Sequence, residues 1–143
     1  MRAQVDLNVA GGMLGERFTS APGSSQYFVG GFITYNNAMK MELLGVSPEV
    51  LAEHGAVSRE TAEAMAVGAR RRTKSTYALS ITGAAGPDPG TEKAPKGTMV
   101  VALADATGVI SVQRQFLGDR QRIRTFTVQS ALDLLRRRIS GLL

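Results

Sequence analysis

Two β-rich segments a turn apart constrain this chain most. Gly97 to Asp105 (GTMVVALAD) and Val109 to Leu117 (VISVQRQFL) are rich in apolar and β-branched residues, and they meet around Thr107-Gly108. Such a pair reads as an antiparallel hairpin. The second segment alternates at Ile110, Val112 and their polar neighbours, as a half-buried strand does. A hairpin this late in the chain argues against a purely parallel sheet. Two further strands are expected, at Tyr27 to Tyr35 and Thr76 to Thr82. The first carries Gly30-Gly31 in its middle, which suggests a bulge or a close backbone approach.

Helices fill the rest. Gly11 to Ser20 predicts a short helix with Met13, Leu14 and Phe18 inward. Asn36 can cap a helix that ends at Gly45. Ser47-Pro48-Glu49 supplies a capping hydroxyl, a proline at the first helical position and an acid, and Gly55 stops that helix. Ser58 caps the next one, which runs to about Arg72. Asp119 caps a long last helix whose apolar face holds Ile123, Phe126, Ala131, Leu134, Leu135 and Ile139. The expected order is α-β-α-α-α-β-β-β-α. It predicts an α/β or α+β sandwich with a mixed sheet.

Composition narrows the chemistry. At 143 residues a single domain covering residues 1–143 is expected. There is no cysteine and only one histidine, His54. Disulfides, thiolate metal sites and a cysteine nucleophile are excluded, and a multi-histidine zinc site is disfavoured. His54 itself fits the end of a helix just before Gly55, a capping role. Seventeen Lys and Arg against twelve Asp and Glu leave a net charge of +5, which suits an anionic ligand. Arg70-Arg71-Arg72 and Arg136-Arg137-Arg138 fall near helix ends, where cations complement the dipole. Apolar runs fall short of a membrane span, and no signal peptide opens the chain. No membrane partner and a cytoplasmic location are therefore expected.

Four features can carry chemistry. Gly11-Gly12 opens a helix, so it is either a tight turn or a set of backbone donors for an oxyanion. Tyr35 stands at a strand end, and Lys40 follows in the next helix, near its positive dipole end. A lysine whose pKa is lowered there can act as base to a serine; otherwise it is an exposed surface lysine. Ile81-Thr82-Gly83-Ala84-Ala85-Gly86-Pro87 runs a strand into a glycine-rich loop, exposing Gly83 and a hydroxyl at the sheet's carboxyl edge, where α/β proteins bind ligands. It is not a Walker A loop. Arg120 and Arg122 sit in the first turn of the last helix, where they oppose the dipole; an anion contact would explain them.

Three blocks together carry a resemblance. SAPGSSQYFVGGFITYNNAMKMELLGV, HGAVSRETAEAMAVGAR and ALSITGAAGPDPGTEKAPKGTMVVALA resemble, in order and spacing, the CinA C-terminal domain family, the nicotinamide-nucleotide amidases. The resemblance covers roughly residues 11–139. It implies an α/β fold, a compact three-layer-like sandwich with a mixed sheet whose N-terminal element is truncated in this chain, and a metal-free and cofactor-free serine amidohydrolase that uses a lysine base. The substrate would be nicotinamide mononucleotide, converted to nicotinate mononucleotide and ammonia in pyridine nucleotide salvage. It also implies a homo-oligomer, and full-length relatives with an extra N-terminal domain. Carried over residue by residue, Lys40 is the base and Tyr35 relays the proton or positions the nucleophile. Thr82, followed by Gly83, contacts the reacting amide or the substrate. Arg122 pairs with the substrate phosphate, and Gly11 and Gly12 supply backbone donors.

The nucleophile does not carry over. The family's Glu-Ser-Cys-Thr-Gly-Gly aligns with Leu7-Asn8-Val9-Ala10-Gly11-Gly12, so Asn8 stands at the serine position. An amide side chain cannot be activated as an alkoxide equivalent. Three explanations follow: a frame error or gene rearrangement at the 5′ end, a non-catalytic paralogue that still binds nucleotides, or replacement by Ser24 or Ser25. The strand that normally precedes this motif is also short or absent, which is expected to leave the sheet with an open edge. A nucleic-acid accessory role is a further alternative, but the basic residues lack interleaved aromatics.

Overall fold

The computed structural model describes residues 3–6 and 12–143. The elements are β1 (Ala3–Asp6), α1 (Met13–Thr19), β2 (Phe28–Phe32), α2 (Asn37–Leu44), α3 (Pro48–His54), α4 (Arg59–Thr73), β3 (Tyr77–Gly83), β4 (Thr98–Asp105), β5 (Gly108–Gln115) and α5 (Arg120–Ile139). They form one five-stranded mixed sheet in the order β2-β1-β3-β4-β5. β1 pairs parallel with β2 and β3, whereas β3–β4 and β4–β5 are antiparallel. The hairpin expected around Thr107-Gly108 is the β4–β5 pair, closed at Asp105 opposite Gly108.

Two expectations about the first strands change. Ala3–Asp6 forms a strand, and it lies inside the sheet, so the edges are β2 and β5. A four-residue strand that alternates with Gln4 and Asp6 is too short for hydrophobic periodicity to reveal. β2 is shorter than the segment Tyr27 to Tyr35 and stops at Phe32. The expected irregularity at Gly30 is present. Ala3 pairs with Phe28 and Gln4 with Gly30, so Val29 is the extra residue, and Gly30 takes a φ of +153°.

The period of two along the strands sorts the core into two faces. Leu79, Ile81, Val101 and Leu103 pack against α1, through Leu14 and Phe18, and against α5, through Ile123, Val128, Ala131, Leu134 and Leu135. Val100, Ala102 and Ala104 face Ala62 and Ala66 of α4, while Ala78 packs with Met65, Ala69 and Leu44. The result is a three-layer arrangement. Each large aliphatic side chain buried this way contributes about 1.5–3 kcal/mol. Ile139, expected on the buried face of α5, is its last residue and is 45% exposed.

Local signals explain the helix boundaries. The side chains of Asn36, Ser47, Ser58 and Asp119 accept from the amides of Met39, Val50, Thr61 and Arg122. Gly45 closes α2 in a left-handed conformation. Gly68 has a different task. A Cβ there would lie 1.8 Å from the carbonyl oxygen of Leu44, so only glycine lets α2 pack this closely on α4. Among the described residues, no helix is long and apolar enough to cross a membrane.

Candidate functional site

β2, β3 and β5 point the same way, so their carboxyl ends lie along one end of the sheet. The chain leaves β2 into α2, β3 into the glycine-rich loop, and β5 into α5. These departures surround a cleft of about 270 Å³ lined by Tyr35, Asn37, Lys40, Ala56, Val57, Thr82, Gly83, Ala85 and Arg120. Such crevices at strand carboxyl ends are where open α/β sheets take ligands.

Lys40 is the unusual residue here. It is only 2% exposed, which is rare for a lysine. Its Nζ donates to the carbonyl of Thr34 at 3.3 Å. Asn36 caps α2 one turn earlier, and this fixes the helix rotation that turns Lys40 inward. The exposed-lysine alternative is thereby excluded. Tyr35, just before the cap, is 69% exposed at the cleft mouth.

Thr82 sits at the end of β3, fully buried. Its hydroxyl donates to the carbonyl of Ala56 at 2.6 Å. Ala56 lies in the connection between α3 and α4. That connection is pinned by the hydroxyls of Thr61 and Ser58, which both donate to the Gly55 carbonyl at 2.6 and 3.1 Å. One wall of the cleft is thus held by three hydroxyl–carbonyl bonds. Beside it, a Cβ on Gly83 would meet the Met99 sulfur at 2.1 Å, so glycine is required there.

The two arginines of the last helix separate. Arg120 lines the cleft, and its Nη1 donates at 2.7 Å to the carbonyl of Gly86 in the glycine-rich loop. Arg122 lies over the ring of Phe126, 5.3 Å from its centroid, and is not among the cleft-lining residues. Sequence reasoning singled out both, but their divergence depends on helix rotation. Among the described residues, the cleft lining carries Lys40 and Arg120 and no carboxylate. That composition favours an anionic guest.

Other expected residues lie elsewhere. Gly12 caps α1 with a φ of +98°, and a Cβ there would come 3.8 Å from Ile33, just beyond β2. Asn8 and Gly11 lie outside the described residues. Ser24 and Ser25 belong to a short 3₁₀ turn (Ser24–Gln26), and neither lines the cleft. His54 is the last residue of α3, and Gly55 caps the helix. The ring nitrogens of His54 stand 3.7 and 3.8 Å from Glu60 and Glu53. It lines a neighbouring cavity of about 450 Å³ that shares Ala56 and Val57 with the cleft. Among the described residues, no group of three or more acidic or histidine side chains could hold a metal ion.

Comparison with known proteins agrees with this architecture. The family described as the CinA C-terminal domain matches residues 8–139. A CinA-like protein of Solibacter usitatus is 76% identical over 134 residues, which cover 94% of this chain and 32% of that protein. One from Koribacter versatilis is 49% identical over 129 residues, 90% of this chain and 31% of that protein. The chain therefore spans about a third of the length of these curated relatives. Among solved structures, the competence/damage inducible protein CihA of Agrobacterium tumefaciens superposes with a TM-score of 0.91 at 36% identity. That match covers 94% of this chain and 83% of that one. A competence-damaged (CinA) superfamily protein of Escherichia coli gives 0.92 at 29% identity, covering 96% and 80%.

Proposed function

The chain belongs to the CinA C-terminal domain family, and from that premise we propose that its cleft is a nicotinamide-nucleotide amidase site. The reaction adds water across the carboxamide C–N bond of nicotinamide mononucleotide and releases nicotinate mononucleotide and ammonia. The observation that carries this reading is a buried lysine lining a cleft at the strand carboxyl ends, beside Tyr35 and Thr82. A lysine held out of water is suited to taking a proton from a nucleophile and returning it to the leaving ammonia. Tyr35 stands at the mouth to position the reacting groups. Thr82 and Gly83 form the floor against which the amide rests. The basic residues at the start of α5 attract the phosphate, and Gly11 and Gly12 offer backbone donors.

Asn8 occupies the position where the family carries its serine. We therefore propose that this chain holds the nucleotide but hydrolyses it poorly, since removal of a serine nucleophile has cost on the order of a millionfold in turnover in a well-studied serine hydrolase. The test is ammonia release from nicotinamide mononucleotide by the unaltered chain and by Asn8→Ser. Silence from the first and release by the second is the expected result. Release by the unaltered chain would show that another group replaces the serine. A nucleotide-binding protein without turnover is the second reading, favoured by the same asparagine. It expects silence from both proteins together with binding of the nucleotide by calorimetry.

A further inference from the structure

We propose that the cavity beside the cleft is a second nucleoside subsite, so that the chain binds a dinucleotide with one half in the cleft and the other half, an uncharged heterocycle with its ribose, in the cavity. The proposal rests on the pyridine-nucleotide reading of the cleft and adds a second half to its ligand.

Cleft and cavity share two boundaries. Ala56 and Val57, in the connection between α3 and α4, line both. Along the chain leaving β3, Gly83 and Ala85 line the cleft, and Ala84 between them lines the cavity. Single residues therefore divide the two spaces, not a strand or a helix. Their volumes are unequal, about 270 Å³ for the cleft and about 450 Å³ for the cavity. Small-molecule sites usually hold about 300–1,000 Å³, so the cleft alone falls short of that range and the cavity lies within it.

The outer wall of the cavity is preformed. The glycine-rich loop folds back on itself as an arm. The Thr91 amide donates to the Ala94 carbonyl, and the Ala94 amide to the Thr91 hydroxyl, each at 3.0 Å. The amides of Lys96 and Gly97 donate to the carbonyls of Pro89 and Ala84 at 2.7 and 2.6 Å. Gly90 takes a φ of +78°, and a Cβ there would lie 2.4 Å from the Ala94 carbonyl oxygen, so glycine keeps the arm tight. The arm and the end of α3 enclose the cavity between them.

The lining chemistry selects the occupant. Small apolar residues, among them Ala52, Val57, Ala84 and Ala94, suit a flat ring. The polar lining includes the carboxyl groups of Glu53 and Glu92. An ionised carboxylate only accepts hydrogen bonds, so its guest must donate, as ribose hydroxyls and the exocyclic amine of adenine do. Two carboxylates against one lysine, Lys93, also disfavour a phosphate in the cavity. The phosphates are left to the cleft side, where Lys40 and Arg120 stand.

The experiment is calorimetric titration of the unaltered chain, Ala52→Phe and Glu92→Gln with nicotinamide mononucleotide and with nicotinamide adenine dinucleotide. Ala52 is exposed on α3, so a phenylalanine there fills the cavity without entering the core, and Glu92 is exposed on the arm. The unaltered chain is expected to bind the dinucleotide about tenfold or more tighter than the mononucleotide. Ala52→Phe should bring the dinucleotide down to the affinity of the mononucleotide, and Glu92→Gln should weaken it about threefold or more. Both variants should leave the mononucleotide within about twofold. If Ala52→Phe loses its fold by circular dichroism, Glu92→Gln decides alone. Equal affinity of the unaltered chain for the two ligands overturns the subsite and leaves the nucleotide cleft standing. So does a loss shared equally by both ligands, or a dinucleotide affinity that no folded variant changes. If the unaltered chain binds neither ligand, the nucleotide reading itself falls and takes the subsite with it.

Discussion

The two ends of the sheet use the same kinds of residue in opposite ways. At the end where β4 turns into β5, Arg138 is neutralised. Its Nε bonds the Asp105 carboxylate at 2.6 Å, and its Nη2 bonds the Thr107 hydroxyl. Asp105 in turn accepts from the backbone and side chain of Thr107, at 2.8 and 2.6 Å. At the other end, Lys40 and Arg120 line a cleft whose described lining residues include no carboxylate, and both donate to backbone carbonyls, those of Thr34 and Gly86. One end is thus built as a clasp around an ion pair, and the other brings two basic side chains to the wall of a cleft.

Perturbing each end should break different properties. The largest effect is expected at the cleft. In an Asn8→Ser background that releases ammonia, Lys40→Ala should reduce turnover by about 10²–10⁴-fold, the usual contribution of a positioned base. Steady-state ammonia assays check this. Unchanged turnover would mean that the buried lysine is structural and would erase the contrast between the ends.

A substitution between the two ends should disturb both. Gly68→Ala drives a methyl into the Leu44 carbonyl, so α2 must shift on α4. A loss of about 1–3 kcal/mol is expected from denaturant titration. Because Lys40 rides on α2, nucleotide affinity should fall as well. Lost stability with unchanged affinity would show that α2 positions the lysine independently of its packing on α4.

The smallest effect belongs to the clasp. The Arg138 guanidinium hydrogen-bonded to Asp105 holds that carboxyl well below the usual range, against an opposing push from burial and with help from Thr107. A carboxylate whose pKa is lowered by folding stabilises the native state above its unfolded pKa, near about 4. That stabilisation is lost as pH falls toward the folded value. Asp105→Asn should therefore lower the melting temperature at neutral pH and narrow its gap to the unaltered protein below about pH 4. Nucleotide binding should not change. A constant gap across the acid range would mean that the pair adds shape rather than charge.

Much of this was legible in the residues. The caps at Asn36, Ser47, Ser58 and Asp119 are local hydrogen bonds within one turn, so they can be read from spacing alone. The β4–β5 hairpin is likewise local. β1 was not legible, because a four-residue strand is stabilised by its neighbours rather than by its own pattern. The site was half legible. Tyr35, Lys40, Thr82 and Gly83 could be singled out. That Lys40 is buried, that Thr82 is tied to Ala56, and that Arg120 rather than Arg122 lines the cleft could not.

The sequence by itself determined the inventory. It set the helix starts, the late hairpin and the absence of thiol chemistry. The tertiary structure decided which basic side chains line the cleft. Residues far apart in the chain meet at the carboxyl ends of β2, β3 and β5, and the rotation of α2 and α5 about their axes selects which side chains face the cleft. Helix rotation is set by packing against the sheet and by contacts such as Gly68 on Leu44, which no short stretch of sequence encodes.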